Sequence, residues 1–318
     1  MTPRLGSRVL RLLVVLFVVS FFSFIMVDLV PGDAAVQVLG ENGTPEDYHR
    51  VRDELGLDQP VLTRYVTWLG AVLHGDFGQN LVAPVRDVRE TIADALPVNI
   101  ELALLALLLA LLIAIPAALL SVRRPGGRAD RWVSAACVAI ISVPGFIVGL
   151  LLLLLFAINW QVLPVGQWAG LSDTGLLTNL RFAVLPALTL ALPEAAVFIR
   201  LLRRDLLATM GEDFITVARA KGMPTRHILL REALRPSSFS LVTLVGVNIG
   251  HLIAGSVIVE QVYSLPGMGS VIVRAAQTSD YPVVQMGVLV LAALYVVVNF
   301  AVDVLYGVLD PRVRRAHA

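Results

Sequence analysis

The sequence has little charge, one cysteine and one lysine. Charged residues make up 15% of the 318 residues and hydrophobic residues 57%, whereas a soluble domain usually carries about 25% charged residues. A lone Cys137 excludes a disulfide within the chain and a cysteine metal site, and we expect it to be a small buried residue. The net charge of +1 gives no indication of a nucleic-acid partner. The low charge is instead typical of a membrane protein.

Motifs for covalent chemistry are also missing. The sequence has no Gly-x-x-x-x-Gly-Lys-Ser/Thr loop for ATP phosphates, no His-Glu-x-x-His and no Gly-x-Ser-x-Gly. We therefore predict that the chain is not an enzyme and has no cofactor or metal site. If it transports a solute against a gradient, ATP hydrolysis is expected on a partner chain.

Long apolar runs predict six membrane-spanning helices, because a bilayer core needs roughly 20 apolar residues of helix. The predicted spans 1 to 6 are Val9–Val30, Asn99–Val122, Trp132–Ala157, Phe182–Leu202, Phe239–Val259 and Val283–Leu305. The first run has a basic flank, as a signal peptide has, but it is longer than a signal and ends at Pro31-Gly32 without a clean cleavage site. We interpret it as a retained span.

Arginine placement predicts the orientation, since cytoplasmic loops are enriched in basic residues. The basic segments are the N-terminus, the loop after span 2, the loop after span 4 and the tail after Asp310. They alternate with less basic segments. Both termini are therefore predicted in the cytoplasm.

The segment between spans 1 and 2 is long and acidic, with candidate helices near Pro45–Leu57 and Pro60–Leu73. We predict a small extracytoplasmic helical cap there. The predicted domains are residues 1–30 with span 1, 31–97 as the cap, 98–310 as the core with a long basic loop at 205–236, and 311–318 as the cytoplasmic tail.

The loop between spans 4 and 5 carries a short helix pattern. Asp213 suits a helix N-cap, Gly222 suits the position after the helix, and Pro224 suits the start of the next helix. The 3.6-residue period of a helix predicts that four residues lie on one face, namely Phe214, Val217, Ala218 and Lys221. Periodicity alone leaves two interpretations open: Phe214 fills a pocket on a partner, or the helix lies on lipid headgroups.

The resemblance of this loop to a known family is specific. Asp213–Gly222 reads Asp-Phe-Ile-Thr-Val-Ala-Arg-Ala-Lys-Gly and resembles the cytoplasmic signature loop of binding-protein-dependent ABC importer permeases, in particular the first permease subunit of the dipeptide/oligopeptide/nickel subfamily. In that family the loop forms a coupling helix that docks on the ATPase. Thr216, Val217 and Ala218 stand at the family's Glu-Ala-Ala positions, of which only part is kept. The docking residues implied are Asp213, Phe214, Val217, Ala218, Arg219, Ala220, Lys221 and Gly222.

The resemblance covers nearly the whole chain. The other matching segments are Pro31–Asp33, Leu55–Pro60, Arg64-Tyr65, Gly75–Gly78, Ser142–Phe146, Leu163–Gly166, Ser264–Gly269, Asp280–Gln285 and Leu309–Arg314. Two residues depart from the family. A proline before span 5 stands at Pro236 rather than near Ser240, and Glu194 stands where an apolar residue is expected.

The resemblance implies an all-α membrane protein with the type I ABC importer permease fold. Its partners would be a second homologous permease subunit, one or two ABC ATPase subunits, an extracytoplasmic solute-binding protein and the lipid bilayer. It would move peptides, nickel complexes or another small solute into the cytoplasm by alternating access. A stand-alone secondary transporter is the main alternative, and a scaffolding membrane protein is a second.

Polar residues within the spans are candidates for the translocation path, because a carboxylate at the bilayer centre costs roughly 2.5–3.5 kcal/mol on insertion scales. Glu194 should face protein or water, either lining the path or hydrogen-bonded to a neighbouring helix. The candidates are Ser142, Glu194, Asn248 and His251. Glu260 and Asp303 are predicted to reach water or headgroups at span ends.

Overall fold

The computed structural model describes residues 2–29, 36, 44–54, 58–82, 84–164, 166, 168–171 and 175–309. The regular structure of this part of the chain is helical, and its one extended pairing is an isolated bridge between Gln79 and Asp87. The helix stop at Pro31-Gly32, the Leu55–Leu57 part of the cap motif and the tail 311–318 lie outside the described residues. The predicted all-α fold is confirmed.

The helices follow the predicted order. The first group consists of α1 (Thr2–Leu29), α2 (Pro45–Glu54), α3 (Val61–Leu73), α4 (Val88–Arg123), α5 (Arg128–Ser142) and α6 (Gly145–Leu152). The second group consists of α7 (Leu176–Thr209), α8 (Asp213–Ala220), α9 (Thr225–His227), α10 (Leu234–Ala254), α11 (Val257–Tyr263), α12 (Met268–Gln277) and α13 (Tyr281–Leu309). Two π-helical segments, Leu153–Asn159 and Ile228–Ala233, continue α6 and precede α10.

Five helices among the described residues are long and apolar enough to cross a membrane, and a bent pair makes a sixth span. The five include α1, α4, α7 and α13, together with the continuous helix from Thr225 to Ile253. The predicted spans correspond to these helices, and α4, α7 and α13 extend beyond the apolar run at both ends. The fifth predicted span, Phe239–Val259, is interrupted, because α10 ends at Ala254 and α11 begins at Val257. Extension is expected because the sequence prediction counts only apolar residues, whereas a helix continues into polar flanks until it is capped.

The third span differs from the single run predicted at Trp132–Ala157. It consists of α5 and of α6 with its π-helical continuation, bent by 106°. Val143 and Pro144 at the break have extended backbones, with ψ of 129° and 136°. Proline lacks the N–H that would continue α5, and it disfavours helical geometry at the residue before it. The apolar residues on both sides conceal this break in a hydropathy profile.

One compact unit contains residues 1–98 and Pro266–Phe300. Its core residues are Val88, Ile92, Ala95, Met268, Ala275, Val283 and Met286. An aromatic group of Phe24, Tyr65 and Trp68 joins α1 to α3, and the Tyr65 hydroxyl shares a hydrogen bond of 2.8 Å with Ser20. This hydrogen bond satisfies a polar group that is buried with the ring. The helices predicted near Pro45–Leu57 and Pro60–Leu73 are observed as α2 and α3, and their assignment to an extracytoplasmic cap stays a prediction.

The second compact unit comprises the described residues of Asn99–Leu265 and Ala301–Ala318. Helix α7 is its centre and packs against α5, α6 and α10. Four buried alanines at every fourth position of α7, namely Ala183, Ala187, Ala191 and Ala195, let neighbouring helices approach closely. Gly149 of α6 makes one such approach, because an added Cβ would lie 2.8 Å from the Thr189 methyl group. Cys137 is 1% exposed, as expected.

Candidate coupling helix and membrane-embedded polar sites

The short helix predicted between spans 4 and 5 is α8. Glu212 is its N-cap residue, with φ of −74° and ψ of 152°, and makes no side-chain capping hydrogen bond. The prediction that Asp213 is the N-cap was wrong by one residue. Asp213 instead occupies the first helical position, where its carboxylate is favourably placed near the positive end of the helix dipole.

The other end of α8 is closed by a Schellman motif. Gly222 N–H donates to the Arg219 carbonyl at 2.9 Å, and Met223 N–H donates to the Ala218 carbonyl at 3.2 Å. The motif needs a left-handed residue after the helix, and Gly222 has φ of +76°. A Cβ at Gly222 would meet nothing within 4 Å. Within this chain, Gly222 is therefore needed for the left-handed backbone of the turn and not for close packing against another residue.

The two faces of α8 have different surroundings. Ile215 is fully buried and Ala218 is 6% exposed, whereas Phe214 and Val217 are 46% and 52% exposed. Lys221 continues the exposed side. Ala218 thus lies on the buried face, and the prediction that it shares a face with Phe214 was wrong. In a helix of only about two turns, position 218 falls near the boundary between the exposed and the buried face. The result is an anchored helix that presents an apolar and basic stripe, which we call the α8 stripe (Phe214, Val217, Lys221).

The helices that flank α8 hold it in place. Pro224, predicted to start the next helix, is the N-cap residue of α9, whose first helical residue is Thr225. The hydroxyls of Thr209, at the end of α7, and Ser237, in α10, share a hydrogen bond of 2.8 Å. The two long helices are thus joined by a side-chain contact beside the loop that contains α8. Pro236 stands in the first turn of α10, just after the π-helical segment.

Two of the path candidates are in contact. Asn248 of α10 donates a hydrogen bond from Nδ2 to Oε2 of Glu194 on α7, at 2.5 Å. His251 lies one turn further along α10, is exposed in the single chain, and interacts electrostatically with Glu194. Glu194 follows Pro193, which lies inside α7. These three side chains form a polar site between spans 4 and 5, and the hydrogen bond agrees with the interpretation that Glu194 is bonded to a neighbouring helix.

Ser142 is placed elsewhere. Its hydroxyl donates to the Val138 carbonyl of its own helix at 2.8 Å, and the side chain is exposed at the end of α5 beside the break. Among the described residues, no hydrogen bond connects Ser142 with Glu194, Asn248 or His251. Ser142 is therefore not part of the polar site.

An ion pair that sequence reasoning did not find connects three spans. Arg203 of α7 donates to both carboxylate oxygens of Asp130 on α5, at 2.7 and 2.8 Å, and to Ser121 Oγ of α4 at 3.0 Å. Ser121 also donates to Asp130, whose other oxygen accepts the Gly126 N–H at 2.8 Å. A possible signal in the sequence was a carboxylate, Asp130, surrounded by the arginines of a basic loop.

A second missed cluster involves Glu260, which was predicted to reach water or headgroups. That prediction is wrong, because Glu260 is 0% exposed. Its Oε1 accepts hydrogen bonds from Asn99 Nδ2 at 2.7 Å and Ser256 Oγ at 2.5 Å. The donors compensate for the loss of water. Asp303 lies in α13, and its side chain is outside the described part.

Comparison with known proteins agrees with this architecture. The family of binding-protein-dependent transport system inner membrane components matches residues 102–315, and the N-terminal model of such membrane components matches residues 1–103. A peptide transport system permease protein of Brucella abortus (strain 2308) is 35% identical over 314 residues, which cover 99% of each chain. The dipeptide transport system permease protein DppB of Escherichia coli (strain K12) is 32% identical over 319 residues, with 93% of this chain and 94% of DppB covered.

A solved structure is also similar. The crystal structure of an amino acid ABC transporter with histidines aligns with a TM-score of 0.49 and 18% identity, over 70% of this chain and 94% of that chain. The family and curated relatives favour a permease subunit over a stand-alone secondary transporter or a scaffold. The chain belongs to the family of inner membrane components of binding-protein-dependent transport systems, and its function is that of a transmembrane permease subunit.

Proposed function

We propose that this chain forms, with a second permease subunit, the path through which peptides enter the cytoplasm, and that partner ATPases drive the path by docking on the α8 stripe. The α8 stripe is the observation that carries the proposal. Phe214 and Val217 are about half exposed on a helix whose opposite face is buried. Exposed apolar side chains on a rigid base are typical anchors of a protein interface.

Peptides are proposed as the solute because the curated relatives that span nearly the whole chain are named for peptide and dipeptide transport. An extracytoplasmic binding protein would deliver the peptide to the cap. ATP binding would close two ATPase domains, on one chain or two, and the movement would pass through α8 to spans 4 and 5. The two arrangements of those spans would open the path to either side in turn.

The docking proposal is tested by purification of the chain from its native membrane in mild detergent, with identification of co-purifying chains by mass spectrometry. Phe214→Ala should reduce the recovery of a P-loop ATPase by about ten-fold or more, as loss of an interface anchor does. Phe239→Ala is a matched control, because Phe239 is 62% exposed on α10 outside α8. Unchanged ATPase recovery from a Phe214→Ala/Val217→Asp double variant would contradict docking at α8.

We also propose that Glu194, Asn248 and His251 line the path, with Ser142 beside it. The hydrogen bond between Glu194 and Asn248 supports this, since intramembrane carboxylates usually face protein or water. Glu194→Gln keeps an oxygen acceptor for Asn248 and removes the charge. A path role predicts that this variant loses peptide uptake while ATPase recovery and thermal stability stay unchanged. Uptake equal to that of the wild type would assign Glu194 to helix packing alone.

A further inference from the structure

A groove outside the sites described above is lined by apolar and basic side chains only. It has a volume of about 520 Å³, within the usual range of ligand pockets of about 300–1,000 Å³. Helix α4 contributes Pro116, Leu120 and Arg123 from its last turns. The segment that follows α8 contributes Arg226, Leu229 and Leu230. All of these residues belong to the second compact unit.

The polarity of the groove changes along α4. Arg123 is the last residue of the helix, and Pro116 lies about 10 Å nearer the membrane centre at a rise of about 1.5 Å per residue. Leu120 and Leu230 are 51% and 45% exposed, although apolar. Because span 2 is predicted to end at Val122, the cationic end is expected at headgroup depth and the apolar floor at the depth of the adjoining acyl chains.

The cationic end is available for a ligand. Arg123 and Arg226 are both exposed, and within the described ranges neither guanidinium makes a hydrogen bond or an ion pair. Arg203, by contrast, is fully engaged with Asp130. No acidic side chain is found among the described residues that line the groove. Guanidinium groups match phosphate geometry, and basic pockets between spans on the cytoplasmic side suit anionic headgroups.

We propose that this groove binds one anionic phospholipid, with its phosphate between Arg123 and Arg226 and its upper acyl chain against Leu120 and Leu230. The predicted orientation places this lipid in the cytoplasmic leaflet. Because Leu229, Leu230 and Arg226 directly follow α8 in the chain, the bound lipid lies beside the element that is proposed to receive the ATPases. Lipid occupancy then stabilises the base of that element.

The test uses the full chain with its co-purifying subunits, reconstituted in nanodiscs of phosphatidylcholine with a graded fraction of phosphatidylglycerol. A fluorescent phosphatidylglycerol probe reports binding. Arg123→Gln and Arg226→Gln should each weaken binding about five-fold, the effect of one basic residue near an anionic surface. Arg124→Gln is the matched control, because Arg124 is the exposed neighbour of Arg123 but does not line the groove. Arg226→Lys should retain most of the binding.

The apolar floor is tested separately. Leu120→Ala should weaken probe binding, whereas Leu112→Ala, which changes a 60% exposed leucine of the same helix outside the groove, should not. Equal losses with Arg123→Gln and Arg124→Gln would overturn the proposal in favour of diffuse surface attraction. Equal binding of phosphatidylcholine and phosphatidylglycerol probes would also overturn it. Loss of a co-purifying protein from Arg123→Gln/Arg226→Gln with probe binding unchanged would assign the groove to a protein partner.

Discussion

Arg203 contacts both carboxylate oxygens of Asp130, at 2.7 and 2.8 Å, across a sequence separation of 73 residues. The Asp130 side chain is 6% exposed and that of Arg203 is 30% exposed. This bidentate pair, with Ser121, connects the ends of spans 2, 3 and 4 on the side of α8. It is therefore expected to make these spans move together.

Neighbouring arginines provide the first prediction. Arg203→Ala leaves the buried carboxylate of Asp130 without its cation and should destabilise the protein by about 2–4 kcal/mol, near the cost of breaking a buried pair. Arg204→Ala removes a pair in which the Arg204 side chain is 72% exposed and that of Asp205 18% exposed, and it should cost about 1 kcal/mol or less. Thermal unfolding in detergent measures both. Equal midpoints for the two variants would contradict the structural role of the Arg203 pair.

Gly222 separates backbone from surface effects. Gly222→Ala should destabilise the turn after α8 by about 1–2 kcal/mol, because φ of +76° is unfavourable for a residue with a Cβ. Gly222→Asn should cost less, since asparagine tolerates the left-handed region better. Hydrogen exchange of the backbone amides at positions 222 and 223, in the wild type and in each variant, measures the opening of the turn. If alanine and asparagine have the same effect, contact with a partner and not conformation is the reason for the glycine.

The buried cluster around Glu260 gives a third prediction. Asn99→Ala removes a donor to a carboxylate that is 0% exposed and should cost about 1.5–3 kcal/mol, as for a hydrogen bond to a charged group. Asn159→Ala, at an exposed asparagine, should be within about 0.5 kcal/mol of the wild type. Denaturation in detergent would distinguish them, and an unaffected Asn99→Ala variant would show that Ser256 suffices.

Asp280 predicts a pH dependence outside the spans. Burial raises the pKa of Asp280 above its usual 3.8, although it accepts hydrogen bonds from backbone N–H groups including that of Leu81. Because its pKa is raised in the folded state, Asp280 contributes its full stabilisation below the usual pKa of 3.8. This contribution is lost as the pH rises through the pKa of the folded state. Relative to Asp280→Asn, the wild type should therefore be more stable at about pH 4 than at about pH 7. A constant difference between the two proteins across this range would exclude the effect.

Cys137 makes the orientation testable. It is the sole cysteine of the chain and is 1% exposed. A Cys137→Ala variant therefore has no cysteine, and a single cysteine can be introduced at a chosen position. A cysteine at Gln79 should react with an impermeant thiol reagent in intact cells, whereas one at Gly211 should react only after permeabilisation. The opposite result would reverse the orientation predicted from arginine placement.

Local signals in the sequence predicted α8 and the left-handed turn at Gly222, because capping depends on neighbouring residues. The fold and the family could also be predicted, because apolar runs and the order of motifs can be read directly from the sequence. The Asp130 pair and the Glu260 cluster were not, because their partners are 73 and 161 residues away and meet only through packing. Pro144 was visible as a proline, yet its 106° bend was hidden by the apolar residues around it. Predicted domain limits at residues 30, 97 and 310 remain predictions.

The bend at Val143-Pro144 has a consequence for how the chain exists in a bilayer. Lipid offers no hydrogen bonds, so non-helical backbone at membrane depth persists only where protein or water covers it. Pro144 and its neighbour Ser142 are exposed in the single chain. That surface must therefore be covered in the bilayer by a second subunit or by the aqueous path. If the proposed second subunit covers it, this chain made without that subunit should be a target for membrane proteases, and its cellular level should depend on the synthesis of the second subunit.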